Sequence, residues 1–239
     1  MTINESEIWD RFNNKSIPID PKWLETIYSL NLSHELRYLI CERLGLLADI
    51  GWQPIKKLLK SNGNQPELIY AAGLCHQKEA RDFLLECLNT EKEVQVDILK
   101  ALECWGAFLS FKDLKKIFSE KSFEIRLAGL NLLSFKSHLL NEDELLDLVA
   151  DLLEDFREEV VINTIRVLQR RNEYKIIDRI SRMVDNGSNK IVEAALIALG
   201  AIGTDLSAQK LLRLSQQLDN PHHRYVAQKQ LKHQYLTLN

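Results

Sequence analysis

His222, His223 and Arg224 stand side by side, and paired imidazoles are the kind of group that ligates a metal. On a helix, however, adjacent side chains diverge by about 100°, which turns the two rings away from each other, so no metal site is assigned there. The thiols are Cys41, Cys75, Cys87 and Cys104. None forms a C-x-x-C pair, and each falls within an apolar helical pattern, where free cysteine packs as a small hydrophobe. Buried, reduced thiols are expected, and with them a reducing compartment, the cytosol or its equivalent. Glu142, Asp143 and Glu144 would suit acid–base work, but three consecutive acids equally suit the first turn of a helix, where the dipole favours negative charge. Arg166, Arg170 and Arg171 gather as a basic cluster that reads as a solvated helix end. The chain has no Gly-rich phosphate loop, no H-E-x-x-H and no G-x-S-x-G. No catalytic residue is nominated.

The elements that carry these residues repeat. In IVEAALIALGAIGTDLSAQKLLRL, Ile191, Ala194, Ala195, Ala198 and Leu199 recur at helical spacing, Gly200 and Gly203 mark a break, and Ala208, Leu211 and Leu212 begin a second helical face. A frame of an apolar starter answered by Leu eight positions on returns at Leu36–Leu44, Val94–Leu102, Ile125–Leu133 and Val160–Leu168. Pro66 takes the starter's place before Leu74, as suits a first helical turn, and a last frame runs from His223 to Leu231. The answering leucines are separated by 30, 28, 31, 35, 31 and 32 residues, the signature of a helical repeat array. Second helices follow the breaks, with apolar sets such as Ile55, Leu58, Leu59, then Leu114, Ile117, Phe118, then Ile177, Ile180, Met183, Val184. Small residues such as Ala71-Ala72, Ala128-Gly129 and Ala194-Ala195 allow helices to approach closely. One hairpin cannot bury both faces, so the units must stack.

The expectation is an all-α solenoid of about six helical hairpins: capping helices over 1–32, the repeats over 33–220 and a capping helix over 221–239, all one domain. Asp20-Pro21 starts a helix through Trp23, Leu24, Ile27 and Tyr28, and a short helix is expected around Ile8 and Phe12. Gln230, Lys232, His233 and Gln234 are expected to give the last helix a polar outer face.

Hydrophobic residues make up 45% of the 239 and charged residues 27%, which suits a sizeable core. The net charge of -3 argues against nucleic acid as a partner, since phosphate neutralisation needs clustered basic surface. A secretory leader is not evident at the N-terminus, and no stretch reaches the roughly 20 apolar residues of a membrane span. A cytoplasmic protein without membrane insertion is expected.

Second helices are expected to line the concave side of the stack. Their non-core positions include Lys56, Lys60, Arg81, Lys115, Arg179, Arg182, Lys210 and Arg213, with Asp147 and Asp151 near the middle. A plain solvated face is the alternative for any of these charges. Trp52 and Trp105, beside turns, offer flat packing surfaces or serve as core lids. Arg37 and Arg126 are expected to tie adjacent units together.

The frame of an apolar residue, Arg, then Ala-Ala-x-x-Ala-Leu-Gly-x-Ile-Gly and an Ala-x-x-x-Leu-x-x-Leu helix resembles the short HEAT-like repeat of phycobilisome lyases. Ile191–Leu214 matches best, and Leu36-Arg37 and Ile125-Arg126-Leu127-Ala128-Gly129 carry the Arg. The resemblance covers about residues 33–231. The segment from Ala101 to Leu133 is similar to the E/F-type bilin lyases and their phycoerythrin-associated relatives. The second Gly is missing from the third, fourth and fifth units, and Val161 and Val192 replace the Arg.

The resemblance implies a phycobilin lyase or lyase-subunit chaperone that attaches an open-chain tetrapyrrole, by a thioether bond, to a cysteine of a phycobiliprotein subunit. It implies no cofactor of its own, the phycobilin as substrate, the phycobiliprotein subunit as client and a second lyase subunit as a further partner. Lys56, Arg81, Lys115, Arg179 and Arg213 would then hold the propionates, Asp147 and Asp151 the pyrrole N–H groups, and Trp105 the flat ring system. The repeat is shared with scaffolds that do no chemistry, so a non-catalytic protein-interaction scaffold is the rival reading. A HEAT-like DNA glycosylase is a third, against which the net charge speaks.

Overall fold

The computed structural model describes residues 4–14, 16, 18–90, 94–106 and 109–237. Among them the backbone forms fifteen α-helices and one short 3-10 turn, with no strand, so the fold is the expected all-α solenoid. None of these helices is long and apolar enough to cross a membrane. Two compact units divide the chain, Met1–Ala107 and Phe108–Asn239.

The first unit holds α1 (Glu5–Asn13), α2 (Pro21–Ile27), α3 (His34–Leu46), α4 (Asp49–Asn62), α5 (Pro66–Leu74), α6 (Lys78–Thr90) and α7 (Val96–Trp105). Ile8 anchors α1 and is 1% exposed. Asp20 caps α2 by accepting the Lys22 N–H at 3.0 Å, with Pro21 in the first turn. Successive frame helices α3, α5 and α7 pack directly on one another, whereas α4 and α6 approach through side chains. Close approach explains Gly73, where a Cβ would lie 2.5 Å from the Ala101 carbonyl oxygen. One buried polar knot ties the layers. Glu67, in the first turn of α5 and 1% exposed, accepts the Tyr28 hydroxyl at 2.9 Å and lies 3.4 Å from the Arg37 guanidinium.

The second unit holds α8 (Phe111–Ser119), α9 (Phe123–Lys136), α10 (Glu142–Leu153), α11 (Glu158–Leu168), α12 (Tyr174–Asn186), α13 (Asn189–Ile202), α14 (Asp205–Gln217) and α15 (Pro221–Thr237). Here α9, α11, α13 and α15 form the closely packed layer, and α8, α10, α12 and α14 stand further apart. Gly203 ends α13 in the left-handed conformation (φ 68°), and Thr204 then opens α14 with a capping box. Gly200 does not make the break. It lies inside α13, where any Cβ would collide with Gln230 of α15.

All seven frames fall on alternate helices from α3 to α15. Leu44, Leu102, Leu133, Leu168 and Leu199 are each at most 1% exposed, while Leu74, the last residue of α5, and Leu231, within α15, are half-buried. The period is also written in ion pairs between neighbouring second-type helices: Glu25–Lys57, Asp143–Lys175 and Asp178–Lys210 each join residues 32 apart. Lys115 and Asp147, at the same separation, lie 3.5 Å apart.

Three expectations are corrected. Gln234 points inward: it is 5% exposed and its amide donates to the carbonyls of Leu199 and Gly200, at 2.8 and 3.0 Å, covering the orphan groups at the end of α13. Arg171 is not a solvated end, its side chain being 10% exposed, whereas Arg170 stays exposed. Arg170 donates to the Ser134 carbonyl at 2.8 Å, and Arg171 to those of Ser137 and Leu140 while pairing with Glu173. Finally, Cys41, Cys75 and Cys87 are buried but Cys104 is exposed, on the face of α7 opposite the fully buried Leu102.

Candidate binding surfaces

In the first unit, α4 and α6 form the walls of an open groove of about 560 Å³. Its floor is Trp52, Leu59 and Phe83, its α4 wall carries Lys56 and Lys60, and its α6 wall carries Glu79, Asp82 and Glu86. Both helices run the same way. Near their starts the Trp52 indole N–H donates to Glu79 at 3.0 Å, and near their ends the Asn64 amide lies 3.7 Å from the Cys87 sulfur. Lys56 meets Glu79 at 3.7 Å, with both side chains largely in water. Trp52, 4% exposed and 6.2 Å from the Phe83 ring, is a lid over its neighbour.

Arg81 and Trp105, also in this unit, come together: the guanidinium lies 5.1 Å over the indole. The indole N–H donates to the Gln77 carbonyl at 3.3 Å, and its face stacks on His76 at 6.2 Å. Arg81 also chelates Asp82 through two nitrogens, at 3.0 and 2.7 Å. Trp105 therefore seals the turn between α5 and α6. On the frame helices α3 and α5 the rings of His34, Tyr38 and Tyr70 follow one another, with centroids 4.5 and 6.2 Å apart. Sequence reasoning passed over that row, although its 32-residue step from Tyr38 to Tyr70 was there to be seen.

The second unit holds a cleft of about 390 Å³ lined by Arg179 and Arg182, by Glu154, Asp155 and Asp185, and by the apolar Leu153, Val161, Met183 and Ile191. Arg179 reaches Glu154 at 2.6 Å and Arg182 reaches Asp178 at 2.7 Å. Lys115, Asp147, Asp151 and Arg213 do not line it. Lys115 and Asp147 pair in water, Asp151 is exposed on α10, and Arg213 donates to Gln217 at 2.9 Å. Of the eight nominated residues, then, Lys56 faces one groove, Arg179 another, and Arg81 joins Trp105.

Under the cleft lies a carboxylate that the sequence reading missed. The Asp155 side chain is fully out of solvent. It accepts the Arg157 backbone N–H at 2.9 Å, both ends of the Arg157 guanidinium at 2.8 Å, and an Arg126 nitrogen. Arg126 also donates to the Glu120 carbonyl at 2.6 Å and Arg157 to that of Lys121 at 3.1 Å. The link before α11 is thereby stapled to the link before α9, the tie expected of Arg126; Arg37 plays the matching part in the first unit. The Arg157 hydrogen bond and then Arg126 hold the Asp155 carboxyl down at about 2.

Burial pushes Cys75 up to about 12 and raises Cys41 well above the thiol range. Cys104 is raised as well, first by burial and then by Glu103. These thiols are held in the protonated, poorly nucleophilic form. Glu142, Asp143 and Glu144 open α10 as first-turn acids: Glu144 completes a capping box with Asn141, and Lys175 reaches Asp143 at 2.7 Å and Glu142 at 3.7 Å. His222 lies 4.0 Å from Glu193, and His223 turns into the core. Among the described residues no three His, Cys, Asp or Glu converge as metal ligands.

Residues 145–232 match the family of HEAT repeats. Comparison with curated protein sequences finds no match. Among solved structures, the chain is similar to one from the complex of CpcE and CpcF of phycocyanin lyase from Nostoc sp. PCC7120. The likeness covers 92% of this chain and 96% of that one, with a TM-score of 0.50 and 15% identity. It is also similar to an archaeal HEAT-like repeats protein from Thermococcus onnurineus NA1, over 93% of this chain and 100% of that one, with a TM-score of 0.52 and 16% identity. At such identity the likeness speaks for the fold alone, a solenoid of HEAT-like repeats.

Proposed function

We propose that the chain is a subunit of, or a chaperone for, a phycobilin lyase. In this reading it holds an open-chain tetrapyrrole and a phycobiliprotein subunit together while a cysteine of the client forms the thioether bond. The observation that carries the reading is the chain-length likeness to a chain of the phycocyanin lyase complex, which pairs nearly all of both chains. The attacking thiolate belongs to the client, so the contribution of this protein is orientation, in keeping with its own raised thiols. In the second unit, Arg179 and Arg182 beside Leu153, Val161, Met183 and Ile191 suit a ligand that carries carboxylates on an apolar body.

The test is co-expression with a bilin source and candidate phycobiliprotein subunits, with and without a second lyase subunit, reading covalent colour on denaturing gels. Colour that depends on this chain and falls at least about tenfold with Arg179→Ala plus Arg182→Ala is the expected result. Client colour that is the same with and without the chain overturns the reading. The match of residues 145–232 to HEAT repeats favours a second reading, a scaffold without chemistry. On that reading the same double variant weakens a protein complex and leaves chromophore content unchanged.

A further inference from the structure

In the second unit, neighbouring helices of the wider layer approach one another at a few points: α8 meets α10, α10 meets α12, and α12 meets α14. In the first unit α2 meets α4, while α4 and α6 approach through side chains, Trp52 against Glu79 and Phe83, and leave an open groove between them. We infer that this groove receives an amphipathic helix of a partner protein, with acidic residues toward α4 and basic residues toward α6.

Three observations support that occupant. The floor of Trp52, Leu59 and Phe83 is apolar; Trp52 and Leu59 are already buried, and half-buried Phe83 is the part that gains by losing contact with water. The walls are of opposite sign, Lys56 and Lys60 on one side and Glu79, Asp82 and Glu86 on the other, and they sit at helical spacings that match the rows flanking the apolar seam of a docked helix. The one ion pair across the groove, Lys56 with Glu79, is long and solvated, so exchanging it for pairs to a partner costs little. Along α4 the groove runs from Trp52 to Lys60, about 12 Å at 1.5 Å per residue, which sets the footprint at roughly two helical turns. The inference is independent of the lyase reading and reaches beyond it.

The probes are synthetic helical peptides with a leucine seam. One has a Glu row on one flank and a Lys row on the other; a second has Lys on both flanks; a third matches the first but carries a central proline. Binding of labelled peptide to the full chain is followed by fluorescence polarisation, with circular dichroism to verify each variant's fold. The mixed-flank peptide is expected to bind at least about tenfold tighter than the all-Lys peptide, a difference of about 1.4 kcal/mol, and the proline peptide is expected not to bind. Lys56→Glu with Lys60→Glu makes both walls acidic and should invert the order of the first two peptides. Lys57→Glu, whose side chain turns toward Glu25 instead, should leave that order unchanged.

The inference is overturned if the mixed peptide shows no binding at about 1 mM, where even a contact worth about 4 kcal/mol registers. It is equally overturned if flank charge makes no difference, or if the proline peptide binds as well. Concentration-dependent dimerisation abolished by Phe83→Ser would give the groove to a second copy of the chain instead.

Discussion

Glu67 and Asp155 are carboxylates sealed from water, one in each unit, and they are held by different chemistry. Glu67 sits on a helix and takes a neutral phenol and one guanidinium at 3.4 Å. Asp155 sits in a link and takes two guanidinium groups and a backbone N–H. The first knot joins layers, α2 and α3 to α5; the second joins turns. A buried carboxylate costs several kcal/mol to desolvate unless its lone pairs are filled, and the Asp155 site fills them more completely with charge. The comparison teaches that a repeat stack is clamped where its period is interrupted, at caps and links, and that the clamp is ionic where no helix face is at hand.

The largest effect should come from Asp155→Asn, which leaves two guanidinium groups against a neutral amide. A loss of about 3–5 kcal/mol is expected, measured by urea unfolding. The folded carboxyl titrates at about 2 against an ordinary 3.8, so its contribution is complete above the ordinary value and vanishes as pH falls through about 2. Across that window wild type should lose on the order of 2–3 kcal/mol more than the variant, which keeps the acid sensitivity of Glu173 and Asp178, also held down by their partners. Glu67→Gln should cost less, about 1–3 kcal/mol, as one buried acceptor is weakened. If it costs more than Asp155→Asn, the comparison is reversed.

Tyr28→Phe should cost about 1 kcal/mol. Burial, and then Glu67, raise the Tyr28 hydroxyl far above the phenol range. Its contribution is therefore present below about pH 10 and is lost as the unfolded phenol ionises above that. The variant should keep more of its neutral-pH stability in alkali. The smallest effects belong to the 32-residue ion pairs. Lys210→Ala, in a pair about one-fifth exposed on each side, should cost about 0.5–1 kcal/mol, and Lys57→Ala, two-thirds exposed, about 0–0.5 kcal/mol. Equal losses would mean that shielding does not grade these pairs.

Much of this architecture was legible. The Leu44-to-Leu231 frames land on alternate helices, and Arg37 and Arg126 are ties, because an apolar period reports which face must be buried. That period does not report which of two layers is more closely packed. Single residues that carry no period were also lost: Glu67 looked like an ordinary first-turn acid, Asp155 like a loop acid, and Gln234 like surface. For the candidate surfaces, Lys56 and Arg179 were picked from their helical positions and do face grooves. Asp82, Phe83 and Glu86 escaped notice, because a groove is made by two segments and neither one announces it alone.

Ion pairs that recur at one fixed separation make part of the chain transposable. Duplicating or excising a 35-residue block, the step from Asp143 to Asp178 and from Lys175 to Lys210, would carry each cation to the next anion along. A block a few residues longer or shorter would rotate the rows out of register at 100° per residue. Such a segment can change length in whole modules while its seams close unaided, and graft junctions for longer or shorter versions belong at that interval.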